Sequence, residues 1–229
     1  MPISSRDLLR VAGRWAELEE FIEHAQPRPD EDSSIRLFEE LGRLHTAFRS
    51  VWEPSPPEPL DDHRTFSQLW YSIGFTRQRL GRRGEPVVHR MRQLAGELSN
   101  LRKAVELPCA PIHGDYKLGN TGELPDGSWV TFDLDFARVR ERLYHVAASL
   151  HQLAPSGELI EWRRLLDAYE RTAPEPLTPD EHRWLPGAMA LIPLHWAATS
   201  GLVGGGIREA ESAMTAAEAW WSRRADLSS

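Results

Sequence analysis

Residues 113–136 constrain this chain more than any other stretch: HGDYKLGN runs into a short turn and then into VTFDLDF. Pro111 and Ile112 lead into the loop, Pro125-Asp126-Gly127 is a hairpin turn signal, and residues 129–132 alternate as a short strand does. The expected product is a β-turn-β element that presents Asn120 from the loop beside Asp133 from a strand over residues 130–135. Asp135 shares the parity of Asp133 and so falls on the same strand face.

Most of the remaining sequence has helical periodicity. A Pro/Asp/Ser-rich break at 27–34 precedes a helix that Ser33 or Ser34 could cap and that ends near Ser50. Residues 52–62 hold four prolines in eleven positions and read as an extended loop. Helical spacing predicts helices over 65–80 and 87–105, the second stopped by Pro108. From Arg142 onward the pattern is helical, broken at 155–157, 174–179 and 201–206, with a last helix over 207–224. The fold class is therefore α+β and mainly helical.

The polar residues of the loop have a chemical logic. Phosphoryl transfer requires a group that orients the attacking hydroxyl, ligands for Mg²⁺ and a charge to offset the moving phosphoryl group. Asp115 is the candidate base, Asn120 and Asp133 are hard oxygen donors suited to Mg²⁺, and Asp135 is a further candidate metal ligand or a salt-bridge partner. Lys117 offers an ammonium near the transferred group, or else is a solvated loop lysine. His113 reads as a structural member of the loop. Taken singly, Asp115 could be a backbone-capping turn residue; the joint spacing of Asp115, Asn120 and Asp133 favours the catalytic reading.

That spacing, with Gly114 in place of the protein-kinase Arg, resembles the aminoglycoside phosphotransferase and choline-kinase-like family. The upstream LFEELGRLHTAF, with its Leu-His pair, and the amphipathic segment 162–169 are similar to helices of that family. The resemblance implies a protein-kinase-like C-lobe over 27–229, with a catalytic loop at 113–120 and a metal-binding strand at 130–135. Residues 1–26 resemble a remnant of the N-lobe strands and the hinge, which implies adenine contacts from Glu19 and Phe21. A full five-stranded lobe with its helix needs more than about 50 residues, so the chain is expected to start partway through the N-lobe. One departure stands out: His145 occupies the place of an acidic residue that in the family ties down the catalytic loop, and Tyr144 or Arg142 could substitute for it.

The resemblance implies ATP and Mg²⁺ as cofactors and a small-molecule hydroxyl as acceptor, with Trp196, Glu209, Glu211 and Glu218 as candidates to line its pocket. The alternative is a kinase-like partner subunit that needs an N-lobe or another protein in trans, and an uncovered hinge edge predicts a homodimer or such a partner. Net charge of −7 argues against nonspecific nucleic-acid binding and is compatible with a cationic acceptor. The longest apolar run, 188–203, is interrupted by Pro193 and is shorter than the ~20 residues of a membrane span. No secretory signal is recognisable at Met1, and the single Cys109, expected to be buried, fits a reducing cytoplasm.

Overall fold

The computed structural model describes residues 8–11, 14–17, 22–51, 62–153 and 162–224. Strands β1 (Leu8–Val11) and β2 (Arg14–Glu17) pair antiparallel, within the segment read as the last strands before the hinge. Glu19 and Phe21 lie outside the described residues. Helix α1 (Glu31–Val51) begins earlier than expected. Its cap is Asp30, not Ser33 or Ser34: Asp30 Oδ1 accepts from the Ser33 N–H at 2.8 Å, and the Ser34 hydroxyl donates to the Asp30 carbonyl at 2.8 Å.

Helix α2 (Asp62–Arg102) is two helical segments joined at Gly81, whose φ of 57° and ψ of −153° interrupt the helix. Its break falls between the two helices expected from spacing. Strand β3 (Cys109–Ile112) then enters the loop and pairs antiparallel with β6 (Arg138–Glu141). Between them β4 (Thr121–Glu123) and β5 (Trp129–Thr131) form the expected hairpin, turned at Gly127 with φ of 81°. Cys109 is exposed rather than buried, because only the Ile112 end of β3 reaches the core.

Helices α3 (Arg142–Leu153), α4 (Trp162–Glu170), α5 (Pro179–Thr199) and α6 (Ile207–Ser222) complete the described residues. The apolar run at 188–203 is mostly the interior helix α5, buried nearly all round and packed by α2, α3 and α6. Leu185, Met189 and Leu194 of α5, with Leu69 and Ile73 of α2 and Met214 of α6, are fully buried in one core. Each buried leucine there stabilises by about 1.5–3 kcal/mol. Among the described residues no helix is long and apolar enough to cross a membrane. The α+β, mainly helical class is as expected, with α3 and the loop held against this core.

Candidate active site

The loop is built around His113, which has no exposed surface. Its Nδ1 accepts the Asp115 N–H at 3.3 Å, which leaves Nε2 to donate to the Phe132 carbonyl at 2.7 Å. Phe132 N–H in turn donates to the Asn120 carbonyl at 2.9 Å. These contacts hold the loop against the segment carrying Asp133, so the two proposed metal ligands are brought together through their backbones. His113 is structural, as its sequence context suggested.

Gly114 shows why this loop lacks the bulkier residue of a protein kinase. Its φ is 89°, and a Cβ there would lie 2.3 Å from the Phe136 carbonyl oxygen and 2.8 Å from the Phe136 Cβ. Gly114→Ala should therefore destabilise the protein by about 1–3 kcal/mol, the usual cost of such strain. Thermal denaturation reads this as a lowered Tm; an unchanged Tm would show that the 132–136 turn moves aside freely.

Asp115, Lys117 and Asn120 converge. Lys117 Nζ lies 2.6 Å from Asp115 Oδ2, and Asn120 Nδ2 donates to Asp115 Oδ2 at 3.1 Å and to its carbonyl at 2.8 Å. With its amide nitrogen committed, Asn120 keeps Oδ1 as an oxygen donor. Asp133 differs from the expectation of a strand residue. Strand β5 ends at Thr131, and Asp133 takes a left-handed conformation, φ 62° and ψ 60°, which it alone adopts among the described non-glycine residues. Asp and Asn are among the side chains that tolerate this region. Asp135 sits in the 3₁₀ turn Leu134–Phe136 that follows, so strand parity does not place it beside Asp133. Among the described residues no three His, Cys, Asp or Glu side chains form a metal cage. Two oxygen ligands of this kind suit Mg²⁺, which completes its octahedron with water and phosphate.

Residues 24–26, in the segment read from sequence as the hinge, run along the same edge. Ala25 and Glu123 exchange backbone hydrogen bonds at 2.8 Å each, Gln26 Nε2 donates to the Leu118 carbonyl at 2.5 Å, and the His24 ring packs on Phe132 at 4.5 Å.

His145 is accommodated by a different scaffold from the one expected. Arg142 turns away from the loop to Glu181, and Tyr144 lies under the Arg140 guanidinium at 3.6 Å, so neither replaces the missing acid. The loop is tied instead by Ser149, whose hydroxyl donates to the Tyr116 carbonyl at 3.1 Å. His145 Nδ1 pairs with His45 Nε2 at 2.9 Å, and His45 Nδ1 with the Tyr169 hydroxyl at 2.8 Å. Burial, helped by Arg142, pulls His45 down to about 3, and burial drives His145 the same way. Both rings are therefore neutral at neutral pH.

Asp115 also lines a cleft of about 1250 Å³ between the loop, α3, α5 and the first turns of α6. Trp196 and Glu209 line it, as sequence had offered; Glu211 does not, and Glu218 pairs with Arg90 instead. Sequence reasoning missed Tyr144, Ala148 and His151, whose i, i+4, i+7 spacing marks one face of α3 toward the cleft, and Arg208 of α6.

A helical lobe with a hairpin-bearing loop of this layout is protein-kinase-like, and solved structures share it. An aminoglycoside phosphotransferase from Alicyclobacillus acidocaldarius superposes with a TM-score of 0.69 at 16% identity, covering 96% of this chain and 73% of that one. An ethanolamine kinase from Plasmodium vivax gives 0.65 at 14%, covering 94% and 67%, and a choline/ethanolamine kinase family protein from Mesorhizobium loti 0.65 at 15%, covering 98% and 78%. At such identities these likenesses establish the fold. No curated protein matches the sequence. The sequence matches the profile of the phosphotransferase enzyme family (APH) over residues 2–185, and the chain belongs to that family.

Proposed function

We propose that this chain transfers the γ-phosphoryl group of ATP to a hydroxyl of a small molecule. One observation carries the reading: Asp115 faces the large cleft on one side and, on the other, is hydrogen-bonded to Asn120, whose backbone is bonded to the residue preceding Asp133. An acceptor alcohol in the cleft would hydrogen-bond to the Asp115 carboxylate, which takes its proton as the new O–P bond forms and the bond to ADP breaks. ADP and a phosphate monoester leave, and the proton passes to solvent. Lys117 holds the carboxylate in place and puts a positive charge beside the transferred group. Mg²⁺, held by Asn120 and Asp133, would neutralise phosphate charge when bound; Asp135 is the weaker candidate, since it lies in the 3₁₀ turn beyond the Phe132–Asn120 backbone hydrogen bond that draws Asp133 toward Asn120. Adenine contacts from Glu19 and Phe21, the division at residues 26 and 27, and a cytoplasmic setting belong to the same proposal.

The second reading, a lobe that depends on a homodimer mate or on a partner supplying N-lobe structure, draws on Leu134 and Phe136. Both flank the metal-ligand turn and are about half exposed, at 48% and 55%. Calorimetry of the purified chain with ATP separates the two. The transferase reading expects Mg²⁺-dependent binding that Asp133→Asn weakens at least tenfold; the substitution keeps a side chain suited to the left-handed backbone while removing the charge. Failure to bind ATP with Mg²⁺ would overturn autonomous transfer and favour the partner reading.

A further inference from the structure

Three buried polar side chains that the proposed chemistry leaves unused stand in line behind the loop: Tyr169 of α4, His45 of α1 and His145 of α3. The Tyr169 hydroxyl meets His45 Nδ1 at 2.8 Å, and His45 Nε2 meets His145 Nδ1 at 2.9 Å. His145 also packs against two residues of the loop, Tyr116 edge to face with ring centroids 5.6 Å apart and His113 at 6.3 Å. His113 is the residue whose Nδ1 accepts the Asp115 N–H. Three helices are thereby joined, side chain to side chain, to the two residues that bracket Gly114 and Asp115.

A neutral imidazole has one N–H and one bare nitrogen, so this relay could run in either direction. Arg142 decides which. Its guanidinium can only donate, and its charge acts on both Tyr169 and His45. A positive charge draws the Tyr169 oxygen toward itself and turns the hydroxyl hydrogen away, onto His45 Nδ1. Burial pushes the Tyr169 pKa up, so that hydrogen stays in place at neutral pH. With Nδ1 accepting, His45 carries its hydrogen on Nε2 and donates it to His145 Nδ1, and His145 keeps its own hydrogen on Nε2. That last nitrogen is enclosed and has no hydrogen-bond partner among the described residues. An N–H there can face the electron-rich rings packed around it, which a lone pair cannot.

We infer that Tyr169, His45 and His145 are positioning residues: a one-way hydrogen-bond relay, with both imidazole hydrogens on Nε2, that fixes the 113–120 loop and so sets where Asp115 stands. That Asp115 is catalytic rests on the phosphotransferase reading; the direction of the relay does not.

Tautomers are read directly by nitrogen NMR of the histidine rings at neutral pH, with signals assigned through His45→Gln and His145→Gln. Hydrogens on Nε2 of both rings are expected in the parent protein, and a hydrogen on Nδ1 of either overturns the inference without any variant having to be interpreted. Tyr169→Phe keeps the ring and removes the donor that begins the relay. Hydrogen exchange of the 113–120 amides, followed by mass spectrometry, should then speed up about tenfold, the upper end for one lost hydrogen bond. Amides of the interior helix α5 should keep their parental rates, which a general loss of packing would not allow. His45→Leu should speed the loop likewise, and His45→Gln, which places an amide N–H where Nε2 stood, should return it to within about twofold of the parent. Parental loop exchange in Tyr169→Phe, equal acceleration of the loop and α5, or no rescue by glutamine would overturn the inference. Neither readout uses nucleotide or acceptor, so absent Mg²⁺-dependent ATP binding would end the phosphotransferase reading alone and leave the relay standing.

Discussion

Asp115→Ala should lower kcat for phosphoryl transfer by about 100- to 10,000-fold, the range supplied by a positioned general base, while leaving the fold intact. The side chain is part-exposed and its partners are the loop's own Lys117 and Asn120, so its removal cuts no core contact. An ion pair this accessible contributes little to stability. Asn120 keeps its bond to the Asp115 carbonyl, which the substitution does not touch, and the loop retains both His113 contacts. ATP affinity should accordingly change by no more than about threefold, because the group acts on the acceptor hydroxyl and not on the nucleotide. Asp115→Asn should be nearly as inactive, since the amide keeps the shape but cannot accept the proton. Steady-state kinetics beside calorimetry checks both statements. A variant that transfers phosphate at the parental rate would remove Asp115 from the chemistry and with it the proposed mechanism.

The parts of this site that were legible in the sequence are those whose geometry is local. Asp115 and Asn120 are five residues apart, and the hydrogen bonds between them span that same interval, so spacing and contact carry the same information. The hairpin was legible for the same reason, through its Pro-Asp-Gly turn. Asp133 shows where local reasoning fails. Alternation in VTFDLDF suggests a strand through residue 135, but the chain turns at Asp133, and the Ala137 N–H donates to the Leu134 carbonyl at 2.9 Å. Period-two sequence does not reveal a left-handed residue that ends the period. The cap of α1 fell one turn early because five acidic or hydroxyl residues follow one another from Asp30 to Ser34, and only the completed geometry selects Asp30. The cleft was least legible: Tyr144, Trp196 and Arg208 belong to three helices far apart in sequence, and helix packing alone brings them to one cavity.

A larger effect on stability is expected from Glu181→Ala, at the opposite end of α3 from the cleft residue His151. Arg142 Nε and Nη2 donate to the two Glu181 oxygens at 2.8 and 2.7 Å, with the side chains 6% and 0% exposed. Arg142 also donates to the carbonyls of Glu175 and Pro176, joining the start of α3 to the connection between α4 and α5. Glu181 has a second task, since its Oε2 accepts the Thr178 N–H at 2.8 Å in the capping box of α5. Removing one member of a buried pair leaves the other charge uncompensated, which costs about 3–5 kcal/mol. Replacing both members by leucine avoids the orphaned guanidinium, so Arg142→Leu combined with Glu181→Leu should recover much of that loss. Because α3 carries Ser149, which ties the 113–120 loop through the Tyr116 carbonyl, the proposed function expects the single variant also to raise the KM for the acceptor before it unfolds. Chemical denaturation of the single and double variants measures the coupling directly. A Glu181→Ala variant that loses less than about 1 kcal/mol would mean that water reaches Arg142 and solvates it, and that the catalytic loop takes its support from the His113 and Ser149 contacts without this pair behind them.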